Sequence, residues 1–454
     1  MSRIWFLRYD HSSLQRLGAL KVLVGLLDEQ RRSVSSEKLD RSLVGILLEF
    51  HGGNQRGSRR VIPRFLPPQD SEAEPRKEFP RNVAEKLLAD IEAPSLLFPV
   101  TEPKVFRIRE WGKLMGFLGS GNQITERGLL LQHFMGPEKV MAIRKGQLDE
   151  YNPFRLSLTE KVFFLYVLLE RDGIWPFLFQ RIAALGDGHL IDGVEADKLT
   201  CNALLDLLGA HKMGLSGREM LRRRDLHHLV VRMAESLRMP KVPGSSVMRP
   251  PRPSRVLRPT QRGRVRTNTA DDQAIPRFEN LVDLGFLTKE TDAERESGSR
   301  EDGRVRRLAW RYVVAPPLIR WCNASAGKSS YDDEFLWRRF ASCAGQAYAI
   351  TDPIALSPTI EPVKVIDIVV DSYNRIHRPI GHTPFESIAL TAMVRGIERN
   401  VVCEMADMHG LILGFKREGL FSEYIRFASG NELDRMFIDI DPRLLDRVRG
   451  HYEC

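Results

Sequence analysis

The residues that come closest to a known chemical motif are those of the run Ala326-Gly327-Lys328-Ser329. In a complete phosphate-binding loop, successive backbone N–H groups surround the phosphates, and this geometry requires one more glycine. The additional glycine stands five residues before the glycine of the Gly-Lys-Ser ending. That position is occupied here by Cys322. A polar loop is therefore the better interpretation, and we expect no bound nucleotide.

Other residue types that could support catalysis are a carboxylate near a lysine and a few histidines. Metal-dependent nucleases hold Mg²⁺ with an acid and a Glu-x-Lys strand, whereas Glu361 and Lys364 are one residue too far apart and begin a predicted helix. His227 and His228 are neighbours about 100° apart around a predicted helix, which is unfavourable for sharing one metal ion. His189 lies in a glycine-rich turn sequence. We therefore predict no catalytic residue, no metal and no cofactor.

Arginine forms the strongest pattern that remains. Its planar guanidinium donates two hydrogen bonds at once to a phosphate. One group lies close together on a predicted helix, and a second group lies along a predicted strand later in the chain. The arginines that we predict to contact DNA phosphates are Arg218, Arg222, Arg223, Arg224, Arg277, Arg304, Arg306, Arg307 and Arg311. The alternative for these clusters is a solvated helix face and a linker without a ligand.

Between the two arginine groups, residues 241–268 have a composition of their own. They include eight basic residues and five prolines, with no acidic residue. Proline excludes a regular helix or a central strand. The composition predicts a disordered or extended basic tether.

The last hundred residues predict helices that are followed by a β-hairpin. Thr383 and Glu386 match a capping box, with Pro384 at the first helical position. A helix is predicted before them, and a third helix is predicted to end before Gly419. The two strands predicted around a turn-forming Ser-Gly-Asn are 424–428 and 436–440.

A similar order recurs in the middle of the chain. Residues 275–287 predict a short helix that leads into a strand, residues 290–303 are polar, and residues 305–314 predict a returning strand. A weaker version covers residues 111–134, where Thr-x-x-Gly precedes an apolar run. These patterns resemble the winged-helix superfamily. The resemblance implies nucleic-acid binding or subunit docking, with the third helix in a groove and the wing against the backbone.

The C-terminal module differs from the middle one in charge. Its predicted third helix carries Glu404 and Asp407. The acidic residues of its predicted wing are Glu432, Asp434, Asp439 and Asp441. Because these groups would repel phosphate, we expect this module to dock a protein partner.

Composition indicates a globular protein of roughly two to four domains. The chain has 454 residues, a hydrophobic content of 43% and a formal charge of +9, which permits a nucleic-acid surface without requiring one. We see no apolar run of roughly 18 residues and no signal-peptide pattern. Five scattered cysteines without a CxxC pair fit a reducing compartment. We therefore expect a cytoplasmic protein without a membrane partner.

The predicted fold is mainly α-helical with small β-hairpins, and its winged-helix units are joined by the basic Pro/Arg-rich linker. The predicted divisions are an N-terminal helical region at 1–105, a first winged-helix segment at 106–150, a middle helical and winged-helix domain at 151–314 with a disordered basic insertion at 241–271, and a C-terminal winged-helix domain at 315–454. An ordinary helix–loop–helix explains the segment at 106–150 equally well.

The predicted function is that of a non-catalytic DNA-binding accessory subunit. We expect the middle module to bind double-stranded DNA with little regard to sequence, and the C-terminal module to bind a partner protein. The setting that we predict is a bacterial DNA-transaction or anti-phage defence complex. The alternative is a scaffold or adaptor of a multi-subunit complex without nucleic-acid contact, and an enzyme of unrecognised type is the third choice.

Overall fold

The computed structural model divides the chain into two compact units. Unit one contains Met1–Gln15 and Arg171–Ala315, and unit two contains Arg16–Glu170 and Pro316–Cys454. The residues that the structure describes are 6–7, 9, 16–28, 32–40, 42–43, 102–145, 155–210, 217–237, 268–291, 310–325, 331–350, 354–355, 361–377, 383–428 and 437–452.

Helices account for most of the described residues, as the composition and periodicity predicted. The helices are α1 Leu17–Gly25, α2 Glu102–Leu114, α3 Glu126–Met135, α4 Pro137–Lys145, α5 Leu158–Arg171, α6 Trp175–Ala183, α7 Gly193–Ala210, α8 Gly217–Ser236, α9 Asn268–Leu284, α10 Pro316–Ala324, α11 Asp333–Arg338, α12 Phe340–Ala347, α13 Pro362–Ile376, α14 Phe385–Glu398, α15 Met405–Glu418 and α16 Leu444–Tyr452. The strands are β1 Leu190–Ile191, β2 Leu287–Thr291, β3 Trp310–Val314, β4 Ile354–Ala355, β5 Thr383–Pro384, β6 Val401–Val402, β7 Ile425–Ala428 and β8 Phe437–Ile440.

Unit one packs helices against a small antiparallel sheet. The sheet has the order β1-β3-β2, and α7 packs against α6, α8 and α9. Aromatic pairs join the layers: the rings of Phe179 and Phe286 lie 5.5 Å apart, and those of Phe278 and Tyr312 lie 5.1 Å apart. The predicted strand pair of the middle module is therefore confirmed for β2 and β3, although residues 292–309 between them lie outside the described part.

The helix α9 begins earlier than the sequence predicted. The basic insertion was predicted to extend to residue 271, but α9 starts at Asn268 and continues through Pro276. Proline lacks an N–H and usually interrupts a helix, so the position of Pro276 favoured a later start. The remainder of the predicted tether, residues 241–267, lies outside the described residues.

In the N-terminal part of unit two, α1 is surrounded by other helices. Every residue of α1 is buried, and it packs against α2, α3 and α4. Its sequence is apolar all round, which is the property of a helix inside a core. The single basic residue in α1, Lys21, is buried as well and forms an ion pair with Glu160.

The segment predicted as a first winged-helix module is a helix–loop–helix. Between α2 and α3 there is one isolated β-bridge, from Leu118 to Ile124, and no other strand occurs within residues 102–145. Thr125 does not belong to a wing, because its side chain caps α3 by accepting a hydrogen bond from the N–H of Gly128. Thr-x-x-Gly before an apolar run thus marked a helix start.

The C-terminal part of unit two contains the predicted helices and hairpin. The helices α13, α14 and α15 come first, and β7 and β8 then pair antiparallel. Gly419 ends α15 in the left-handed conformation, which favours glycine. The predicted capping box is wrong, because Thr383 and Pro384 form β5 and pair with β8, so that α14 begins at Phe385 without a side-chain cap.

The same strand arrangement occurs in both units. In unit one, β1 lies between α6 and α7 and pairs with β3, the second strand of its hairpin. In unit two, β5 lies between α13 and α14 and pairs with β8, the second strand of its hairpin. The predicted middle domain, 151–314, overlaps most of unit one, whereas the predicted regions at 1–105 and 106–150 fall mainly in unit two. No helix among the described residues is long and apolar enough to cross a membrane.

Candidate nucleic-acid interface

The first group of predicted phosphate-binding arginines lies on α8. Arg223 is half-buried and Arg224 is exposed to solvent, so Arg224 is free to reach a ligand from this helix. Arg218 and Arg222 belong to the same helix, but their side chains lie outside the described part. Further along α8, Arg232 is also exposed, which extends the basic surface toward the end of the helix.

The second predicted group belongs to the hairpin of unit one. Arg304, Arg306 and Arg307 lie outside the described residues, in the connection between β2 and β3. Arg311 is part of β3, is half-exposed and stands opposite Glu290 in the strand register. The hairpin therefore contributes one described arginine, which lies beside an acidic residue.

Arg277 does not belong to this surface, and the prediction that it contacts phosphate is wrong. Its guanidinium is fully buried and donates from Nε and Nη2 to Asp172 Oδ2, at 3.2 and 2.9 Å. Its Nη1 donates to the backbone oxygen of Gln273 at 2.9 Å, one turn earlier in α9. Burial raises the pKa of the Asp172 carboxyl above its usual value, and the charge of Arg277 opposes that shift. Arg277 is thus an internal anchor.

The polar contacts of Arg277 continue into the N-terminal segment of unit one. The N–H of Leu7 donates to Asp172 Oδ1 at 3.1 Å, and the oxygen of Leu7 accepts from Arg277 Nη2 at 2.6 Å. Two residues later, the N–H of Tyr9 donates to Gln273 Oε1 at 3.3 Å, and its oxygen accepts from Gln273 Nε2. Side chains of α9 and Asp172 therefore bind the backbone of Leu7 and Tyr9.

Other polar side chains of α9 are also committed to contacts inside unit one. Glu279 is buried and accepts hydrogen bonds from Lys289 of β2 and from the hydroxyl of Tyr312, the latter at 2.9 Å. Between Gln273 and Leu284, only Ile275 and Val282 retain partial exposure. A helix with so little free surface cannot enter a DNA groove in this conformation.

This polar network was missed by the sequence analysis. Gln273, Arg277 and Asn280 are spaced by four and three residues, which places them on one face of α9. Polar residues that share one helix face with apolar residues indicate a buried hydrogen-bond network. Their partners Leu7 and Asp172 are far away in the chain, so local pattern analysis did not connect them.

The acids that were predicted to repel phosphate from the C-terminal module have different environments. Glu404 is buried, and its carboxylate accepts from the N–H groups of Ala341 and Ser342, at 3.0 and 2.9 Å, and from the Ser342 hydroxyl, at 2.7 Å. Burial raises the pKa of Glu404, and the Ser342 contacts oppose that shift. Glu404 therefore satisfies N–H groups at the start of α12 and adds no charge to a docking face.

Two further acids lie close to arginines. Asp407 is half-buried, which raises its pKa, while the nearby Arg338 lowers it. Asp441 accepts three hydrogen bonds from the guanidinium of Arg443, at 3.0, 3.2 and 2.7 Å, and these lower the pKa of Asp441 to about 2. Asp439 belongs to β8, while Glu432 and Asp434 lie outside the described residues. The described acids are thus partly neutralised by neighbouring arginines.

The residues that were weighed for metal or nucleotide binding do not assemble into a site within the described part of the chain. No group of three or more potential metal ligands occurs there. His189 Nε2 lies 3.5 Å from Glu195 Oε1. Lys364 forms a surface ion pair with Glu361 at the start of α13. Residues 326–330, which include the phosphate-loop remnant, lie outside the described residues.

Comparison with known protein families, with curated proteins and with solved structures finds no match for this chain.

Proposed function

We propose that this chain is a non-catalytic subunit built on two winged-helix units, of which unit one binds duplex DNA and unit two docks a partner protein. The observation that supports this proposal is the strand arrangement common to both units. In unit one, β1 lies between α6 and α7 and pairs with the second strand of the hairpin after α9; in unit two, β5 lies between α13 and α14 and pairs with the second strand of the hairpin after α15. Helices followed by such a hairpin are the elements that dock on DNA in helix-turn-helix proteins with a wing.

In this proposal, DNA is held by its phosphates. The exposed basic residues of α8, the tether that leaves it and the arginines around β3 supply the positive charge. Because no polar side chain is exposed between Gln273 and Leu284 of α9, base edges are not read by this part of the helix in this state, and affinity depends little on sequence. Phosphate contacts dominate non-specific affinity and release counterions. The slope of log affinity against log salt concentration is therefore about −0.9 for each phosphate contact. The bacterial DNA-transaction or defence setting remains part of the proposal on sequence grounds alone.

The test is a salt titration of the full chain on a duplex of random sequence. Replacing Arg223 and Arg224 by glutamine should weaken binding to all duplexes alike and should reduce the salt slope by about 0.9 for each phosphate that is no longer bound. The matched control replaces Arg417 and Arg426, two exposed arginines of unit two, and should leave both quantities unchanged. A loss of binding in the control alone would mean that the roles of the two units are reversed.

A scaffold without nucleic-acid contact is the second candidate. The observation that favours it is the burial of residues 273–284 of α9, since only Ile275 and Val282 are partly exposed in this part of the helix before the hairpin. Absence of binding to any duplex at low salt, together with the proposed protein docking by unit two, would establish the scaffold over the DNA-binding subunit.

A further inference from the structure

A single N-terminal residue, Tyr9, contacts three polar side chains on one face of α9. Its backbone is bound by Gln273 through both amide atoms. Its ring centre lies 4.8 Å from the guanidinium carbon of Arg277, and its hydroxyl accepts from Asn280 Nδ2 at 3.3 Å. Tyr9 therefore covers this polar face along two turns of the helix.

The binding of Tyr9 by Gln273 has the hydrogen-bonding pattern of base recognition. The amide of Gln273 accepts from one N–H and donates to one oxygen of the same residue. In the major groove, adenine presents a donor at N6 beside an acceptor at N7, and a glutamine or asparagine amide binds this pair in the same way. The backbone of Tyr9 thus offers Gln273 the donor and acceptor that an adenine edge would offer.

The neighbouring side chains of this face, Asn280 and Arg277, could also form hydrogen bonds with a base edge. Asn280 is buried, and its Oδ1 accepts no hydrogen bond within the described residues. Arg277 is held by Asp172, so release of the Leu7 oxygen would free one donor at Nη2. The face therefore has two amides, the groups that bind adenine through two hydrogen bonds, and one additional arginine donor.

We propose that Tyr9 and the backbone at Leu7 form a displaceable cover over a base-reading face of α9. The ligand of the uncovered face is the major-groove edge of duplex DNA, with adenine opposite Gln273 and Asn280. This inference rests on the proposed function, since α9 is the helix that precedes the hairpin in unit one. With the cover in place the chain holds phosphates only, and with the cover displaced it distinguishes sequences.

The first test measures sequence preference with full-length variants. Tyr9→Ala removes the ring over Arg277 and the hydroxyl at Asn280 while leaving α9 unchanged. On a pool of random duplexes, we expect Tyr9→Ala to favour its best sequences by at least about tenfold over the average, the effect of a single bidentate base contact. The wild-type chain and Tyr9→Phe, which keeps the ring, should show less preference. Adding Gln273→Ala to Tyr9→Ala should abolish it.

The outcomes separate this inference from the proposed function. If the wild-type chain binds duplex and a folded Tyr9→Ala shows no gain in preference, the cover is wrong and the proposed function stands. If only Tyr9→Ala binds, the cover is right and phosphate binding by the intact chain is wrong. If neither binds any duplex, both are wrong.

A second measurement on the wild-type chain decides the matter if Tyr9→Ala does not fold. Amide hydrogen exchange at Leu7 and Tyr9 reports whether their N–H groups remain bonded to Asp172 and Gln273. Saturation with an adenine-rich duplex should raise exchange at both amides by at least about tenfold over saturation with a duplex of guanine and cytosine alone, because adenine competes with the Tyr9 backbone for Gln273. Equal exchange with the two duplexes would overturn the inference.

Discussion

Lys21 of α1 and Glu160 of α5 form an ion pair that is almost completely shielded from water, with Nζ 2.9 Å from Oε2. Glu160 also completes a capping box, which the run Ser157-Leu158-Thr159-Glu160 predicts by its spacing, since Ser157 N donates to its Oε2 at 2.7 Å and Glu160 N donates to the Ser157 hydroxyl at 3.3 Å. Lys21 donates in addition to the backbone oxygen of Arg155 at 2.8 Å. One buried lysine therefore connects α1 to the start of α5.

Replacing Lys21 by methionine should strongly destabilise unit two. The change leaves the Glu160 carboxylate buried without its counter-charge, which costs about 3–5 kcal/mol. The measurement is the free energy of unfolding from hydrogen exchange in peptides of α1 and α5. The matched control is Lys364→Met, which breaks the more exposed pair with Glu361 and should cost at most about 1 kcal/mol.

A double variant separates buried charge from packing. Lys21→Met with Glu160→Gln removes both charges and keeps a residue that can complete a capping box. It should recover most of the stability that the single variant loses. If the double variant is no more stable than Lys21→Met alone, the packing of the lysine stem is responsible and the charge is not.

His133 should make the stability of unit two depend on pH. Burial, and then the charge of Arg395, lower the pKa of His133 from 6.5 to about 4. The neutral ring accepts from Arg395 Nε at 3.4 Å. As the pH falls, His133 binds a proton in the unfolded chain at a higher pH than in the folded chain. The contribution of the neutral ring to the free energy of unfolding is therefore fully present above pH 6.5 and is lost progressively as the pH falls toward 4, by up to about 3 kcal/mol.

The measurement compares wild type with His133→Gln between pH 7 and pH 4.5. Glutamine can still accept from Arg395 but does not titrate in this range. The unfolding free energy of the variant should therefore fall less steeply with acid, while other carboxylates act equally in both proteins. Parallel curves would mean that His133 is protonated in the folded chain without penalty.

Glu404 should matter for folding and not for docking. Its carboxylate receives two backbone N–H groups of α12, so Glu404→Ala leaves them without a partner and should cost about 1–3 kcal/mol. Asp407→Ala, three residues later, removes a half-buried acid without such contacts and should cost less. Thermal unfolding of the two variants measures the difference. Equal losses would show that the contacts of Glu404 are not specific to this position.

The sequence was most informative where local chemistry alone determines the structure. The Ser157 capping box and the end of α15 at Gly419 depend on residues a few positions apart. Thr383 matched a capping box equally well, but pairing of β5 with β8, more than fifty residues later, took precedence. Tertiary pairing commonly overrides a local signal of this kind.

The candidate interface was less predictable for the same reason. Arg277 was assigned to a phosphate surface because its guanidinium could donate two hydrogen bonds to a phosphate. Its partner Asp172 lies 105 positions away, and the Leu7 oxygen lies 270 positions away. No periodicity or spacing rule connects residues at such separations, so the buried network is evident only in the folded chain.

Two glycines of unit two should respond in opposite directions to replacement by alanine. A Cβ at Gly128 would lie 2.6 Å from Ile124 Cγ1 and 2.6 Å from the backbone oxygen of Phe117, whereas a Cβ at Gly410 on the exposed side of α15 would have no neighbour within 4 Å. Gly128→Ala should therefore destabilise the chain by about 1–3 kcal/mol through overpacking. Gly410→Ala should stabilise it by about 0.5–1 kcal/mol, because alanine loses less conformational freedom in a helix. Denaturant unfolding of each variant tests both signs, and a destabilising Gly410→Ala would contradict the open surroundings of α15 at this position.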